Sequence, residues 1–157
     1  MTHTITALVE NQPGVLARVV GLISGRGYNI DSLNVGPTQD PSVSRMTIHV
    51  PGDDRVLEQV TKQLNKLVDV IKVTDLTKQR YVSRELVFVK VSTPRGKRAH
   101  VLELVQLFRG EVLSVAVDTL LAQLVDTSER VDEFLELVRP FGIVDVSRSG
   151  VTAMARD

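Results

Sequence analysis

The sequence predicts an α+β fold made of two copies of one unit, each running β-α-β-β-α-β. Two observations carry the prediction. The same order of apolar periodicities occurs twice within 157 residues. The composition is also that of a sheet with aliphatic cores: Val occurs 27 times, Trp is absent, and Phe plus Tyr total six.

In the first copy, Thr4–Glu10 alternates, with Ile5, Ala7 and Val9 on one side and Thr4, Thr6 and Leu8 on the other, which is a strand. Asn11-Gln12-Pro13-Gly14 interrupts it. Leu16, Val19, Val20 and Ile23 then follow the spacing of a helix face, and Gly25 and Gly27 end that helix. Tyr28–Val35 and Ser42–Val50 read as two strands around the turn-rich segment Gly36–Pro41. Asp53–Leu67 is a second amphipathic helix, with Leu57, Val60, Leu64 and Leu67 in register and two acidic residues at the positive end of its dipole. Val70–Leu76 is a fourth strand.

The polar stretch Lys78-Gln79-Arg80-Tyr81 marks a boundary, dividing the chain into residues 1–78 and 79–157. The pattern then restarts. Glu85–Val91 is a strand and Thr93–Gly96 a loop. Val101, Leu104, Val105 and Phe108 mark a helix stopped by Gly110. Glu111–Val117 and Leu120–Val125 are strands joined near Asp118-Thr119. Ser128 caps a helix with the stripe Val131, Phe134, Leu135 and Val138, and Ile143–Val146 is the last strand. This order is the ferredoxin-like unit, in which right-handed crossovers place both helices on one face of a four-stranded antiparallel sheet and leave the other bare. A half of about 75 residues buries only roughly 60% of its unfolded surface. The bare faces therefore need covering. Val87, Val89 and Val91 beside Leu86 and Phe88 read as a strand buried on both faces, which implies oligomerisation or packing of one half on the other.

Charge and composition exclude several functions. Lys plus Arg and Asp plus Glu total 19 each, and neither half departs from balance by more than one charge, which opposes nucleic-acid binding. There is no Cys, hence no disulfide, thiolate nucleophile or Cys-ligated zinc. No apolar run approaches the roughly 20 residues of a membrane span, and the opening residues read as a strand instead of a signal peptide, so a cytoplasmic setting is expected.

A catalytic site is not evident, and no catalytic or metal-ligating residue is assigned. His3, His49 and His100 fall in different elements, none in a metal-ligand spacing, and each reads as a surface or edge residue. Ser24 lacks the frame of a nucleophile elbow, and Arg95-Gly96-Lys97-Arg98 lacks that of a phosphate loop. The segment Glu10–Leu16 stands apart. Pro13 suits a helix's first turn, Gly14 lets a ligand approach the backbone, and free N–H groups at a helix start bind a carboxylate. Asn11 adds an amide able to accept or donate. A small zwitterion such as an amino acid matches this mixture. The same residues also read as a helix cap at Asn11 and a tight turn at Gly14.

Glu10-Asn11-Gln12-Pro13-Gly14-Val15-Leu16 resembles the opening loop of ACT domains, modules that bind amino acids and regulate metabolic enzymes. Further residues, Arg18–Leu33, Asp40-Pro41, Ser44–Ile48 and Gln63–Val70, resemble the regulatory (small) subunits of acetolactate synthase. Arg84-Glu85-Leu86, Phe108-Arg109-Gly110 and Arg148–Val151 are similar to that family's C-terminal domain. The resemblance spans the chain.

It implies a non-catalytic regulatory subunit that holds no cofactor itself. Such subunits bind and activate a separate catalytic subunit carrying thiamine diphosphate, Mg and FAD, and confer feedback inhibition by valine in branched-chain amino-acid biosynthesis. It also implies a homodimer with the effector between paired ACT domains. Asn11, Gly14, Val15 and Leu16 of one chain would face Asn29 and Ile30 of the other, with Leu16 and Val35 as candidate walls. The alternative is an ACT-domain amino-acid sensor regulating another metabolic enzyme. Hydrolase chemistry on the same fold would need an Arg in the first loop, and RNA binding would need aromatics in the central strands; the first half has neither.

Overall fold

A computed structural model describes residues 2–157 and divides them into two compact units. One runs through Val82 and takes in Val151–Asp157; the other is Ser83–Gly150. The elements are β1 (Thr2–Glu10), α1 (Val15–Gly25), β2 (Ser32–Pro37), β3 (Val43–Pro51), α2 (Asp54–Leu64), β4 (Val70–Asp75), β5 (Tyr81–Ser92), α3 (Arg98–Leu107), β6 (Glu111–Val115), β7 (Thr119–Asp126), α4 (Ser128–Val138) and β8 (Ile143–Ala155).

The first sheet has the order β2-β3-β1-β4, with β1 antiparallel to both its neighbours. The predicted alternation holds: Ile5, Ala7 and Val9 are buried with Met46, Ile48 and Val50 against Val19 and Ile23 of α1 and Leu57, Val60 and Leu64 of α2. His3 shares the parity of Ile5 and lies opposite Val50, so it is 1% exposed. The surface or edge expectation fails there because strand parity overrides the polarity of one ring. Neither ring nitrogen of His3 has a hydrogen-bond partner.

The strand predicted at Tyr28–Val35 begins only at Ser32. The intervening residues serve the end of α1, where the amides of Gly27 and Tyr28 close onto the carbonyls of Ser24 and Ile23, the Schellman arrangement. The side of this sheet that its two helices leave uncovered is buried in part by the chain's own end. Thr4, Thr6 and Thr47 are all within 3% of full burial, and Val151 and Ala153 of the returning chain end are buried with them. The last strand is thus much longer than the predicted Ile143–Val146.

The second sheet has the order β6-β7-β5-β8. Val87, Val89 and Val91 pair with Leu124, Ala122 and Leu120, and pack on Val101, Val105, Val131 and Phe134. Within its own unit the other face of β5 is open: Phe88 is 39% exposed, and an open cavity of about 290 Å³ lies among Phe88, Leu113, Leu121 and Val146. Thr127, not Ser128, caps α4, its hydroxyl accepting from the Arg130 amide. Gly110 is required for a reason other than the predicted helix stop. Arg109 takes the left-handed conformation (φ 59°), while a Cβ on Gly110 would stand 2.6 Å from the Gln123 carbonyl oxygen.

Candidate effector site

The loop between β1 and α1 is fixed from both sides. Beyond β1, the Asn11 amide nitrogen of the backbone donates to the Ser42 carbonyl (2.8 Å), and the Asn11 side-chain Nδ2 donates to the Pro41 carbonyl (3.0 Å). Asn11 is therefore not a helix cap; it ties the loop to the β2–β3 turn and keeps its oxygen and one side-chain N–H for other use. Pro13 lies one residue before the cap instead of inside the first turn.

The cap is Gly14, at φ 84°, a conformation in which a side chain is strained. No side chain caps α1, and its first turn holds no acidic residue. This contrasts with α2, where the Asp53 carboxylate accepts from the amides of Arg55 and Val56 at 3.0 and 3.1 Å. The N–H groups that open a helix have no intrahelical partner and sit at the positive end of its dipole. The Val15 amide donates to the Gln12 carbonyl at 3.3 Å, while Gly14, Pro13 and Leu16 are exposed and leave the other opening amides accessible.

One residue that sequence reasoning passed over stands beside them. Arg18, one turn after Gly14, donates through Nε to Asp69 Oδ2 at 2.7 Å, and its NH1 would lie 3.1 Å from a Cβ placed on Gly14. A guanidinium thus flanks the uncapped helix start. The i, i+4 spacing from Gly14 to Arg18 was the available signal.

The remaining predicted residues divide. Val15 is buried in the core, so only its backbone faces the loop, while Leu16 and Val35 are 44% and 41% exposed. Asn29 is exposed, and Ile30 is partly buried against the core. One chain does not bring Asn29 and Ile30 to the loop. Ser32 pairs with His49 and His49 with Thr4, whereas Pro37 pairs with Ser44 and Ser44 with Val9. The loop leaves the Val9 end of the sheet, and Asn29–Ile30 enter at the Thr4 end. Five strand residues at about 3.4 Å each put roughly 17 Å between them.

A β-α-β-β-α-β module with an uncapped, glycine-opened helix start, followed by a second such module, defines the class of ACT-domain regulatory proteins. The family models agree: residues 5–72 match the ACT domain described as AHAS small subunit-like, and residues 84–157 match the small subunit of acetolactate synthase. Among similar proteins, a probable acetolactate synthase small subunit of Methanothermobacter thermautotrophicus is 51% identical over 99% of this chain and 93% of its own length. The acetolactate synthase isozyme 3 small subunit of Salmonella typhimurium is 45% identical over 99% of this chain and 96% of its own. The crystal structure of an acetolactate synthase small subunit from Thermotoga maritima superposes with a TM-score of 0.90 at 34% identity, covering all of this chain and 98% of that one. The chain belongs to the family of acetolactate synthase small subunits, which are regulatory and non-catalytic.

Proposed function

We propose that this chain binds and activates the catalytic subunit of acetolactate synthase and makes it sensitive to valine. The observation that carries the effector reading is the uncapped start of α1: an exposed Gly14 at positive φ, no side-chain cap, no acidic residue, and the Arg18 guanidinium alongside. A carboxylate supplied from outside would complete that helix as Asp53 completes α2. The effector's ammonium would meet the Asn11 carboxamide oxygen, and its aliphatic side chain the exposed Leu16 and Val35.

The site needs a second copy. β2 is an edge strand of the first sheet. Antiparallel pairing of two β2 edges about a two-fold axis reverses one sheet against the other. The Asn29–Ile30 end of one protomer then lies by the Pro37 end of its partner, next to the loop Asn11–Leu16. An effector held across that seam alters the pairing, and it shifts the activity of the catalytic subunit only through different affinity for the two states. Thiamine diphosphate, Mg and FAD belong, on this reading, to the catalytic subunit.

The test is Gly14→Asp, which sets a carboxylate where the effector's would bind. Valine inhibition of the reconstituted enzyme is expected to disappear while activation by the small subunit persists. An inhibition curve that overlays the wild type refutes the assignment.

A further inference from the structure

β8 is one continuous strand that serves two units. Its residues through Gly150 lie in the second, and Val151–Asp157 lie in the first. The change falls at Gly150, whose φ of 80° is a left-handed conformation that a side chain resists.

Just before this point the strand is clamped. Arg148 donates through Nε to the buried Glu85 carboxylate at 3.0 Å and through NH1 to Asp132 at 2.8 Å, and Ser149 Oγ accepts from the Leu86 amide at 3.0 Å. Just after it, the strand lies as a strap on the outer face of the first sheet. β8 pairs with β5, and side-chain hydroxyls of the first sheet hold the strap against that sheet. The Val151 amide donates to Ser32 Oγ at 2.9 Å, and the Ala153 amide donates to Thr47 Oγ1 at 3.4 Å. Ser32 opens β2 directly after Asn29–Asp31, and Thr47 pairs with Asn34 of the same strand. The strap therefore rests on β2 and β3, and one of its two acceptors is two residues from Ile30.

We propose that Ser32 and Thr47 are positioning residues for feedback control: their hydroxyls make the strap follow β2, so that a shift of β2 on effector binding is passed along β8 through Gly150 to the clamped Arg148. The inference rests on the effector reading above. A face covered only by apolar contacts could slide over β2, since such contacts are not directional. Two amides seated on two hydroxyls cannot slide without leaving a buried donor unpaired. Thr47 and Val151 are 1% and 2% exposed, so water does not substitute.

The experiment uses the full chain, alone and reconstituted with its catalytic subunit. Thr47→Val keeps the shape of a buried side chain and removes the acceptor; it is combined with Ser32→Ala. Calorimetry is expected to give a valine Kd within about threefold of the wild type, whereas the inhibition reached at saturating valine falls to less than about one fifth of the wild-type extent. Thr47→Ser, which keeps the hydroxyl, should restore inhibition. Gly150→Ala, at the left-handed residue where β8 passes from one unit to the other, should uncouple in the same way if the double variant folds poorly. Hydrogen exchange supplies an independent readout, since valine should change the protection of the Val151 and Ala153 amides in the wild type. Wild-type heats of binding with no change at those amides, or a double variant whose inhibition curve matches the wild type, overturn the strap and leave the effector site standing. Loss of binding together with inhibition in the double variant also overturns it. Absence of any valine heat in the wild type removes the effector reading and the strap with it.

Discussion

Replacing Arg148 with Met should destabilise the protein more than any single surface ion pair would suggest. The Glu85 side chain is 4% exposed, and its Oε1 accepts from both Nε and NH2 of Arg148. Burial pulls the pKa of the guanidinium down, but the bonds to Glu85 and Asp132 more than reverse this, so its net shift is upward and it remains a cation. Met keeps much of the volume and removes the charge, leaving a buried carboxylate uncompensated. Breaking a buried pair in this way costs about 3–5 kcal/mol. Arg148 is 35% exposed, so water can reach part of the vacated space and the cost falls to or just below the lower end, about 2–3 kcal/mol. Asp132, 64% exposed, contributes little, and Asp132→Asn should fall within about 0.5 kcal/mol of the wild type. For a unit of this size, each kcal/mol moves Tm by roughly 4–8 °C, so Arg148→Met should lower Tm by at least about 8 °C. Urea unfolding followed by circular dichroism gives the free energies. The double variant Glu85→Leu with Arg148→Met should regain most of the loss, because no charge is then left buried. A loss below about 1 kcal/mol for Arg148→Met would show that the Glu85 carboxylate does not depend on its partner, and would refute the reasoning.

Other outcomes follow from single sites. Gly110→Ala places a Cβ 2.6 Å from the Gln123 carbonyl oxygen, backbone that cannot swing aside. It should cost at least about 2 kcal/mol in the same unfolding assay, well above the roughly 1 kcal/mol gained from Ala in exposed helix positions. The Asp40 carboxyl is held below the ordinary aspartate range, first by the Ser42 hydroxyl and then by the Ser42 amide. Its contribution is therefore fully present above the unfolded value and is lost as pH falls through the folded one. Ser42→Ala should move the Asp40 titration upward by NMR. The chain alone should form no acetolactate from pyruvate, and turnover without added catalytic subunit would contradict its regulatory role.

Strand parity and helix spacing are local properties, which is why β1 and α2 can be read from the chain with their buried faces correct; on α1 the predicted face holds at Val19 and Ile23, but Val15 is buried and Leu16 is exposed. Parity even contained the burial of His3, two residues before Ile5, but the polarity of the ring argued the other way. Arg109 in a left-handed conformation was hidden by the glycine beside it, because sequence reasoning gives such a position to glycine first. In the effector loop, Gly14 and the helix start were legible. The role of Asn11 was not, since its partner Pro41 comes 30 residues later in the chain. The strap was least legible. Arg148, Ser149 and Gly150 break the apolar alternation of β8, and Val151 and Ala153 are buried by residues more than 100 positions away.

The central claim is that the backbone amides opening α1 receive the effector's carboxylate at a seam between two copies of the chain. It is tested most directly by titrating isotope-labelled protein with valine and following each backbone amide by NMR. The account predicts the largest changes at Gly14, Val15, Leu16 and Ala17, accompanied by changes at Asn29 and Ile30 from the facing protomer. Saturable binding that leaves Gly14 through Ala17 unmoved would contradict it.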